Sequence, residues 1–166
     1  MIMTINMSKI TTVKEAAEKA MAAECDRTKQ LIGRAEKFMA GIIIVTGFQL
    51  LDLPTLLESS SQWVKDSCYL SLAVLSLALF FGFCSLRLKG HAGYPRRDKL
   101  WDNLKSADVS DDAAEQAVIQ LLLKAREQNA KLNDVRAGLL FWCGWLFFAG
   151  FLLVASSHLL GALANL

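Results

Sequence analysis

The sequence predicts an all-α integral membrane protein, with three transmembrane helices and with N-terminal and central cytoplasmic helices that form a helical bundle. Hydrophobic residues make up 54% of the 166-residue chain, whereas a soluble domain has about 45–50%. These residues gather in three blocks, and almost all of the charged residues lie outside the blocks. The apolar excess is therefore concentrated where it can cross a bilayer.

The second and third blocks are each long enough to span a membrane. Ser67–Leu86 contains 20 residues without a charge, which as a helix cover about 30 Å, the thickness of the hydrocarbon core. The third block stays uncharged after Arg136, and its most apolar part is Gly138–Leu160. Both segments are predicted to be transmembrane helices.

The first block is shorter than the other two. Its uncharged run, Phe38–Leu51, is too short to span a bilayer alone. Extension through Asp52 and Pro54 to Leu57 gives enough length, and Pro54 is expected to end or kink the helix. A full span over 38–57 is the prediction, and a re-entrant or interfacial helix is the alternative.

The distribution of basic residues orients the predicted spans. Of the 18 lysines and arginines, seven precede the first span, one lies between the first two, ten lie between the second and third, and none follows. Because positively charged segments stay on the cytoplasmic side, the N-terminus is expected to be cytoplasmic and the C-terminus external. The expected location is the plasma membrane, that of a bacterial inner membrane, with a multi-pass topology.

The predicted organisation alternates cytoplasmic, membrane and external segments. In chain order these are an N-terminal cytoplasmic helix, the first span, an external loop, the second span, a cytoplasmic linker, a cytoplasmic helix continuous with the third span, that span, and an external C-terminus. Their bounds are 1–37, 38–57, 58–66, 67–86, 87–111, 112–137, 138–160 and 161–166.

Both cytoplasmic helices carry sequence signals. Thr12-Val-Lys-Glu15 fits a capping box, which predicts a helix beginning there. In the second helix, steps of four and three residues predict a heptad seam, with Gln128 as its polar exception. The seam comprises Ala114, Val118, Leu121, Ala125, Gln128, Leu132, Val135 and Leu139. It predicts packing against the N-terminal helix or against copies of that helix in an oligomer.

A cytoplasmic ligand site is the alternative interpretation of the polar residues on the second helix. Arg126, Gln128, Asn129 and Asn133 lie close together in the sequence. Their guanidinium and amide groups would line a site for a cytoplasmic ligand. Amides on a helical seam specify the register of two helices more often than they bind ligands, so a role in register is the favoured interpretation.

The linker after the second span concentrates positive charge next to the membrane. The residues are Arg87, Lys89, Arg96, Arg97 and Lys99. We expect contact with anionic lipid, since each basic residue near such a surface contributes on the order of 1 kcal/mol. A site for an anion or a nucleotide phosphate is the alternative, because arginine offers a bidentate fork to phosphate.

Polar and small residues within the spans indicate contacts between helices. Gln49 lies about one turn before Asp52, so both are expected on nearly the same helix face, where they would line a pore or hydrogen-bond a neighbouring helix. In the second span, Ala78 and Gly82 form a small-xxx-small step that permits close helix contact. A homo-oligomer is therefore expected.

No motif for catalysis, for a metal or for a cofactor is present in the sequence. Cys25, Cys68, Cys84 and Cys143 show neither CxxC nor zinc-finger spacing and are expected to be unpaired thiols. Two histidines and scattered acids give no nucleophile–base set, so a non-enzymatic protein without metal or cofactor is expected. A net charge of +2 gives no reason to expect direct nucleic acid binding.

Two segments resemble a known family. Arg34-Ala-Glu-Lys-Phe-Met-Ala-Gly41 leads into the first span, and Leu123-Lys-Ala-Arg-Glu-Gln-Asn-Ala-Lys-Leu132 precedes the last. Both are similar to the corresponding segments of the small membrane effectors of bacterial Pycsar anti-phage systems. The order of helices and spans is also similar over most of the chain, with few identical residues. The resemblance implies a response to cyclic pyrimidine nucleotides and impairment of the membrane.

Two functions are consistent with these features. The first is a homo-oligomeric helical membrane protein that forms or gates a pore or perturbs the membrane, as a ligand-triggered bacterial defence effector. The alternative is a non-enzymatic membrane scaffold or accessory subunit whose cytoplasmic helices bind a partner protein. The expected partners are the lipid bilayer, further copies of the chain, and a cytoplasmic nucleotide or protein.

Overall fold

The structure is a computed structural model that describes residues 2–58, 61–88 and 111–164. Its helices are α1 (Ile2–Leu51), α2 (Leu53–Glu58), α3 (Gln62–Arg87) and α4 (Asp111–Ala164). Over those ranges the chain contains no strand, which confirms the all-helical fold class. Two compact units are present: unit 1 combines Met1–Gln30 with Lys89–Asp134, and unit 2 combines Leu31–Leu88 with Val135–Leu166.

The break between α1 and α2 lies where Pro54 is expected to interrupt the first helix. The Asp52 amide still donates to the Phe48 carbonyl at 3.2 Å, and the Leu56 amide donates to the Asp52 carbonyl at 3.0 Å. Pro54 has no amide hydrogen, so one bond of the helical ladder is missing between these two. Helix α1 begins at Ile2, so the prediction of a helix start at Thr12 is wrong.

Two of the described helices, α3 and α4, are long and apolar enough to cross a membrane. The uncharged part of α1 has only 14 residues before the break at Asp52. Those residues cover about 21 Å of helix, less than the roughly 30 Å of hydrocarbon. A third crossing therefore requires α2 as well as α1.

In unit 1, α1 and α4 run in the same direction. Lys14 contacts Glu115 near the start of α4, and Arg27 contacts Asp134 further along both helices. Small and apolar side chains fill the space between the two helices, namely Ala17, Met21, Leu122 and Ala125. The first part of α4 therefore packs on α1 as predicted, partly through predicted seam residues such as Ala125 and partly through others such as Leu122.

The predicted heptad seam on α4 agrees with the contact at Ala114, Val118 and Ala125 and is wrong at three of its other positions. Leu121 and Val135 are 38% and 54% exposed, and Gln128 is also exposed. A straight helix drifts by about 20° per heptad, so a strict heptad moves off the contact face. The buried or partly buried positions follow steps of four, four and three instead: Ala114, Val118, Leu122, Ala125, Asn129 and Asn133.

In unit 2, α3 packs antiparallel to α1 and α4. Gly82, near the end of α3, lies against Met39 of α1 and Cys143 of α4. Leu75, two turns earlier on α3, lies against Gly150, about two turns later on α4. The core of the unit comprises Ile42, Leu75, Ala78, Cys143 and Val154.

The predicted small-xxx-small step contributes to packing within one chain. Ala78 is fully buried in the core, and a Cβ built on Gly82 would lie 3.0 Å from Cγ of Met39. The absence of a side chain at Gly82 therefore lets α3 approach α1 closely. Both small residues are buried in the single chain, so the step leaves no exposed face for a second copy. The expected homo-oligomer loses this support.

Candidate functional site

A buried hydrogen-bonded network joins α1 and α4 in unit 1, and we call Glu24, Thr28, Asn129 and Asn133 the polar seam. The amide Nδ2 of Asn133 donates to the backbone carbonyl of Glu24 at 3.1 Å and to its carboxylate at 3.0 Å. The hydroxyl of Thr28 lies 3.0 Å from Oδ1 of Asn133. Asn129 Nδ2 lies 3.7 Å from the sulfur of Met21.

The polar seam fixes the register of the two helices. Asn133 is 1% exposed and Thr28 is 1% exposed, so neither can exchange its protein partners for bulk water. A shift of one helical turn would leave the amide buried without partners, which costs about 1–3 kcal/mol per group. An apolar seam would impose no such penalty, because apolar contacts are not directional.

Ion pairs at both ends of the contact between α1 and α4 stabilise the same register. Nζ of Lys14 lies 2.9 Å from the Glu115 carboxylate, and Nη2 of Arg27 lies 2.8 Å from the Asp134 carboxylate. The first pair is partly buried and the second is exposed, and exposed pairs contribute about 0–1 kcal/mol each. Their positions agree with the register that the polar seam sets, so all the charged contacts favour one alignment.

The four residues predicted to line a cytoplasmic ligand site are not brought together. Asn129 and Asn133 are buried in the polar seam, whereas Arg126 and Gln128 are exposed. Beside them, the hydrogen bond from Lys131 lowers the pKa of the Glu127 carboxyl from its ordinary value. Arg126, Glu127 and Gln128 therefore form part of an outward-facing polar surface of α4.

Gln49 and Asp52 do not share a face, contrary to the sequence prediction. Gln49 is fully buried, and its Nε2 donates to Sγ of Cys68 at 3.1 Å. The Asp52 side chain is 58% exposed, and its carboxylate lies 3.8 Å from Nε2 of His158. Because the helix breaks at Asp52, the side chains of Gln49 and Asp52 point in different directions.

The interior around Gln49 contains polar atoms without a hydrogen-bond partner among the described residues. They are Oε1 of Gln49 and Oγ1 of Thr46. The nearby Ser71 is fully buried and donates to the Cys68 carbonyl at 2.7 Å. Unit 2 thus encloses a small polar region next to its apolar core.

Arg136 is a buried residue that the sequence reasoning did not single out. It is 2% exposed, and its Nε donates to the Ser85 carbonyl at 3.1 Å while Nη2 donates to the Leu88 carbonyl at 2.7 Å. These carbonyls belong to the end of α3, where backbone acceptors lack helical partners and the helix dipole is negative. Arg136 therefore caps the C-terminus of α3.

The predicted basic linker falls mostly outside the described residues. Lys89, Arg96, Arg97 and Lys99 lie within residues 89–110, which the structure does not describe. Arg87 lies in the last turn of α3 and is exposed. Its position allows the predicted contact with an anion or with lipid.

An open groove of about 550 Å³ runs along unit 2 between α1 and α4. We call it the aromatic groove, and the lining residues that define its character are Arg34, Phe38, Phe141, Gly144, Trp145 and Phe148. Edge-to-face ring contacts join Phe141 to Trp145 at 6.3 Å and Trp145 to Phe148 at 6.5 Å. One wall is therefore a row of mutually supported aromatic rings.

The four cysteines are free. Among residues 2–58, 61–88 and 111–164, no three histidine, cysteine, aspartate or glutamate side chains are placed to hold a metal ion together. The sites described above are thus a polar helix contact, a helix cap, an enclosed polar region and an apolar groove.

Comparison with known proteins identified no relative from which a role can be transferred. No protein-family model, curated protein or solved structure matches the chain.

Proposed function

We propose that this chain is a non-enzymatic membrane protein with three spans whose cytoplasmic unit 1 binds a partner protein. The observation that supports this proposal best is the polar seam, in which Asn133 bridges to Glu24 and Thr28 within hydrogen-bond distance. A two-helix contact that is fixed in one register presents its outward side chains in one arrangement. Such preorganisation lowers the entropic cost of binding.

The outward face of α4 in unit 1 offers both polar and apolar groups. On one side of that face, Arg126 is exposed and Leu123, three residues earlier on the helix, is 45% exposed. Interfaces between proteins combine apolar anchors with arginine and with a polar rim. This surface therefore has the chemistry of a protein-binding face.

The exposed faces of unit 2 support a location in the bilayer. Ile43, Ile44 and Phe48 on α1 are 56%, 58% and 63% exposed, and Phe80 and Phe83 on α3 are 60% and 55% exposed. Monomeric soluble proteins rarely expose contiguous apolar surfaces of this kind. The exposure of the α1 residues supports a first span formed by α1 with α2, which gives a cytoplasmic N-terminus and an external C-terminus.

The proposed topology predicts which introduced cysteines an impermeant thiol reagent reaches in intact cells. Cys25 and Cys84, the partly exposed native thiols, are first replaced by alanine. We expect labelling of Gln62→Cys and Ala162→Cys in intact cells, and of Ala16→Cys and Ala113→Cys only after permeabilisation; all four positions are exposed. Equal labelling of Ala16→Cys and Gln62→Cys would show that the first block does not cross the membrane.

A pore or membrane-perturbing effector is the second candidate. The observation that favours it is the enclosed polar region, where Oε1 of Gln49 and Oγ1 of Thr46 have no described partner. Rearrangement of the helices would hydrate these groups, since buried polar atoms without partners are costly. The resemblance to the Pycsar effectors favours this candidate. In it, a cytoplasmic nucleotide is the trigger and a homo-oligomer is the active form.

A pair of exposed charges on α4 separates the two candidates. Arg126 and Lys124 are both exposed, and their two-residue separation places them about 200° apart around the helix. If unit 1 binds a partner through the Arg126 face, a protein recovered in stoichiometric amount with the full chain is lost in Arg126→Glu and retained in Lys124→Glu. Recovery of a closed ring of the chain alone, together with dye entry into cells, would instead establish the pore.

A further inference from the structure

We propose that the aromatic groove binds one anionic phospholipid of the cytoplasmic leaflet, with its phosphate on Arg34 and an acyl chain along the aromatic wall. The proposal rests on the membrane placement proposed above. It does not depend on whether unit 1 binds a partner or the chain forms a pore.

The shape of the aromatic groove matches an acyl chain. Its lining on α4 runs from Ala137 to Phe148, which corresponds to roughly 17 Å along a helix axis. Within it, Phe141, Trp145 and Phe148 are 60%, 58% and 55% exposed. An acyl chain can lie along such rings without the directional contacts that a polar ligand needs.

The position of Arg34 gives the groove a charged end. Arg34 lies one turn before Phe38 on α1, toward the N-terminal end of that helix. With the orientation proposed above, that end faces the cytoplasm, where anionic headgroups lie. Arginine binds phosphate through two parallel N–H···O contacts. None of the described carboxylates forms an ion pair with Arg34, so an anionic headgroup would be its counter-ion.

The walls of the groove favour a lipid chain over a helix of a second copy. Helices pack closely in membranes through small residues, whereas the rim on α4 consists of Phe141, Trp145 and Phe148. The floor at Gly144 is already close to the ring of Phe38, since a Cβ there would lie 3.4 Å from its Cζ. A narrow and flexible chain therefore fits this space better than a helix.

Two matched pairs of variants test the two ends of the proposed site. Lys37 is exposed on α1 three residues after Arg34, outside the groove. Trp142 and Trp145 are both 58% exposed, and of the two only Trp145 lines the groove. Each pair therefore removes the same kind of group inside and outside the site.

The experiment is a lipid titration of the full chain, purified from membranes in a non-ionic detergent and followed by native mass spectrometry. Phosphatidylglycerol and phosphatidylcholine with identical acyl chains are the probes. We expect one phosphatidylglycerol per chain, bound about fivefold more tightly than phosphatidylcholine, as one charge contact near 1 kcal/mol implies. Arg34→Gln should abolish that preference and Lys37→Gln should retain it. Trp145→Ala should weaken the binding of both lipids severalfold, and Trp142→Ala should leave the binding of both unchanged.

Several results would overturn the proposal. They are equal binding of the two lipids by the unaltered chain, equal effects of Arg34→Gln and Lys37→Gln, equal effects of the two tryptophan variants, or a dimer that excludes lipid. Recovery of the chain in the membrane fraction is measured before the titration. Its absence there would reject the membrane placement itself, whereas its presence without lipid selectivity would reject only the groove assignment.

Discussion

Replacing Arg136 with alanine is expected to lower the free energy of unfolding by about 3 kcal/mol, because hydrogen bonds from charged donors contribute about 1.5–3 kcal/mol each. Arg136 is 2% exposed and donates to the carbonyls of Ser85 and Leu88. Alanine leaves both acceptors at the end of α3 without this donor and also opens a cavity. Thermal unfolding of the detergent-purified chain, followed by helical circular dichroism, measures the loss.

Two control variants separate the loss of the cap from the loss of a positive charge and from a change in helix propensity. Arg126 lies on the same helix but is exposed, so Arg126→Ala should change stability by no more than about 0.5 kcal/mol. Arg136→Lys keeps a cation near the negative end of the α3 dipole but has a single nitrogen. It should therefore recover part of the loss. Equal stability of Arg136→Ala and Arg126→Ala would contradict the assignment of Arg136 as the cap of α3.

The helical class and two long apolar helices could be predicted from the sequence, whereas the end of the first helix could not. Uncharged runs such as Ser67–Leu86 predict a helix long enough to cross a bilayer without any knowledge of packing. Phe38–Leu51 falls short of that length, and its continuation depends on how the chain passes Asp52 and Pro54. In the structure α1 ends at Leu51 and α2 begins at Leu53. A hydropathy pattern contains no information on such a break.

The contact between α1 and α4 in unit 1 was harder to predict because its buried positions are partly polar. Leu121, Leu122 and Leu123 are consecutive, so apolarity alone does not fix the phase of the seam. Asn129 and Asn133 are buried, yet a hydrophobic template assigns amides to the surface. Thr28, in the part of α1 that belongs to unit 1, is likewise a buried polar residue. Buried hydrogen bonds to the partner helix make these residues compatible with the interior, and sequence periodicity does not report such partners.

The role of Arg136 is another example of a contact that sequence counting misses. In the sequence it is one of the ten basic residues between the second and third blocks, from which a cytoplasmic location of that segment is predicted. Its function depends on the end of α3, 48 residues earlier in the chain. An arginine immediately before an apolar run is usually taken as a topological signal. Here the same residue also caps a neighbouring helix.

Replacing Gly150 with valine is expected to lower the free energy of unfolding by about 3 kcal/mol, at the upper end of the cost of overpacking a core. A Cβ at this position would lie 2.7 Å from Cδ2 and 2.8 Å from Cγ of Leu75. Leu75 is fully buried in the core of unit 2, so its side chain cannot move aside without displacing other core residues. Gly150→Ala should show the same sign with a smaller loss.

A glycine elsewhere in the same unit and a double variant make this prediction decisive. Nothing lies within 4 Å of a Cβ at Gly47, so Gly47→Ala should be neutral or stabilising by up to about 1 kcal/mol, through helix propensity. Leu75→Ala removes the atoms that clash with residue 150, so the Gly150→Val and Leu75→Ala changes should cost much less together than the sum of their separate costs. Additive losses would show that residue 150 of α4 does not contact Leu75 of α3.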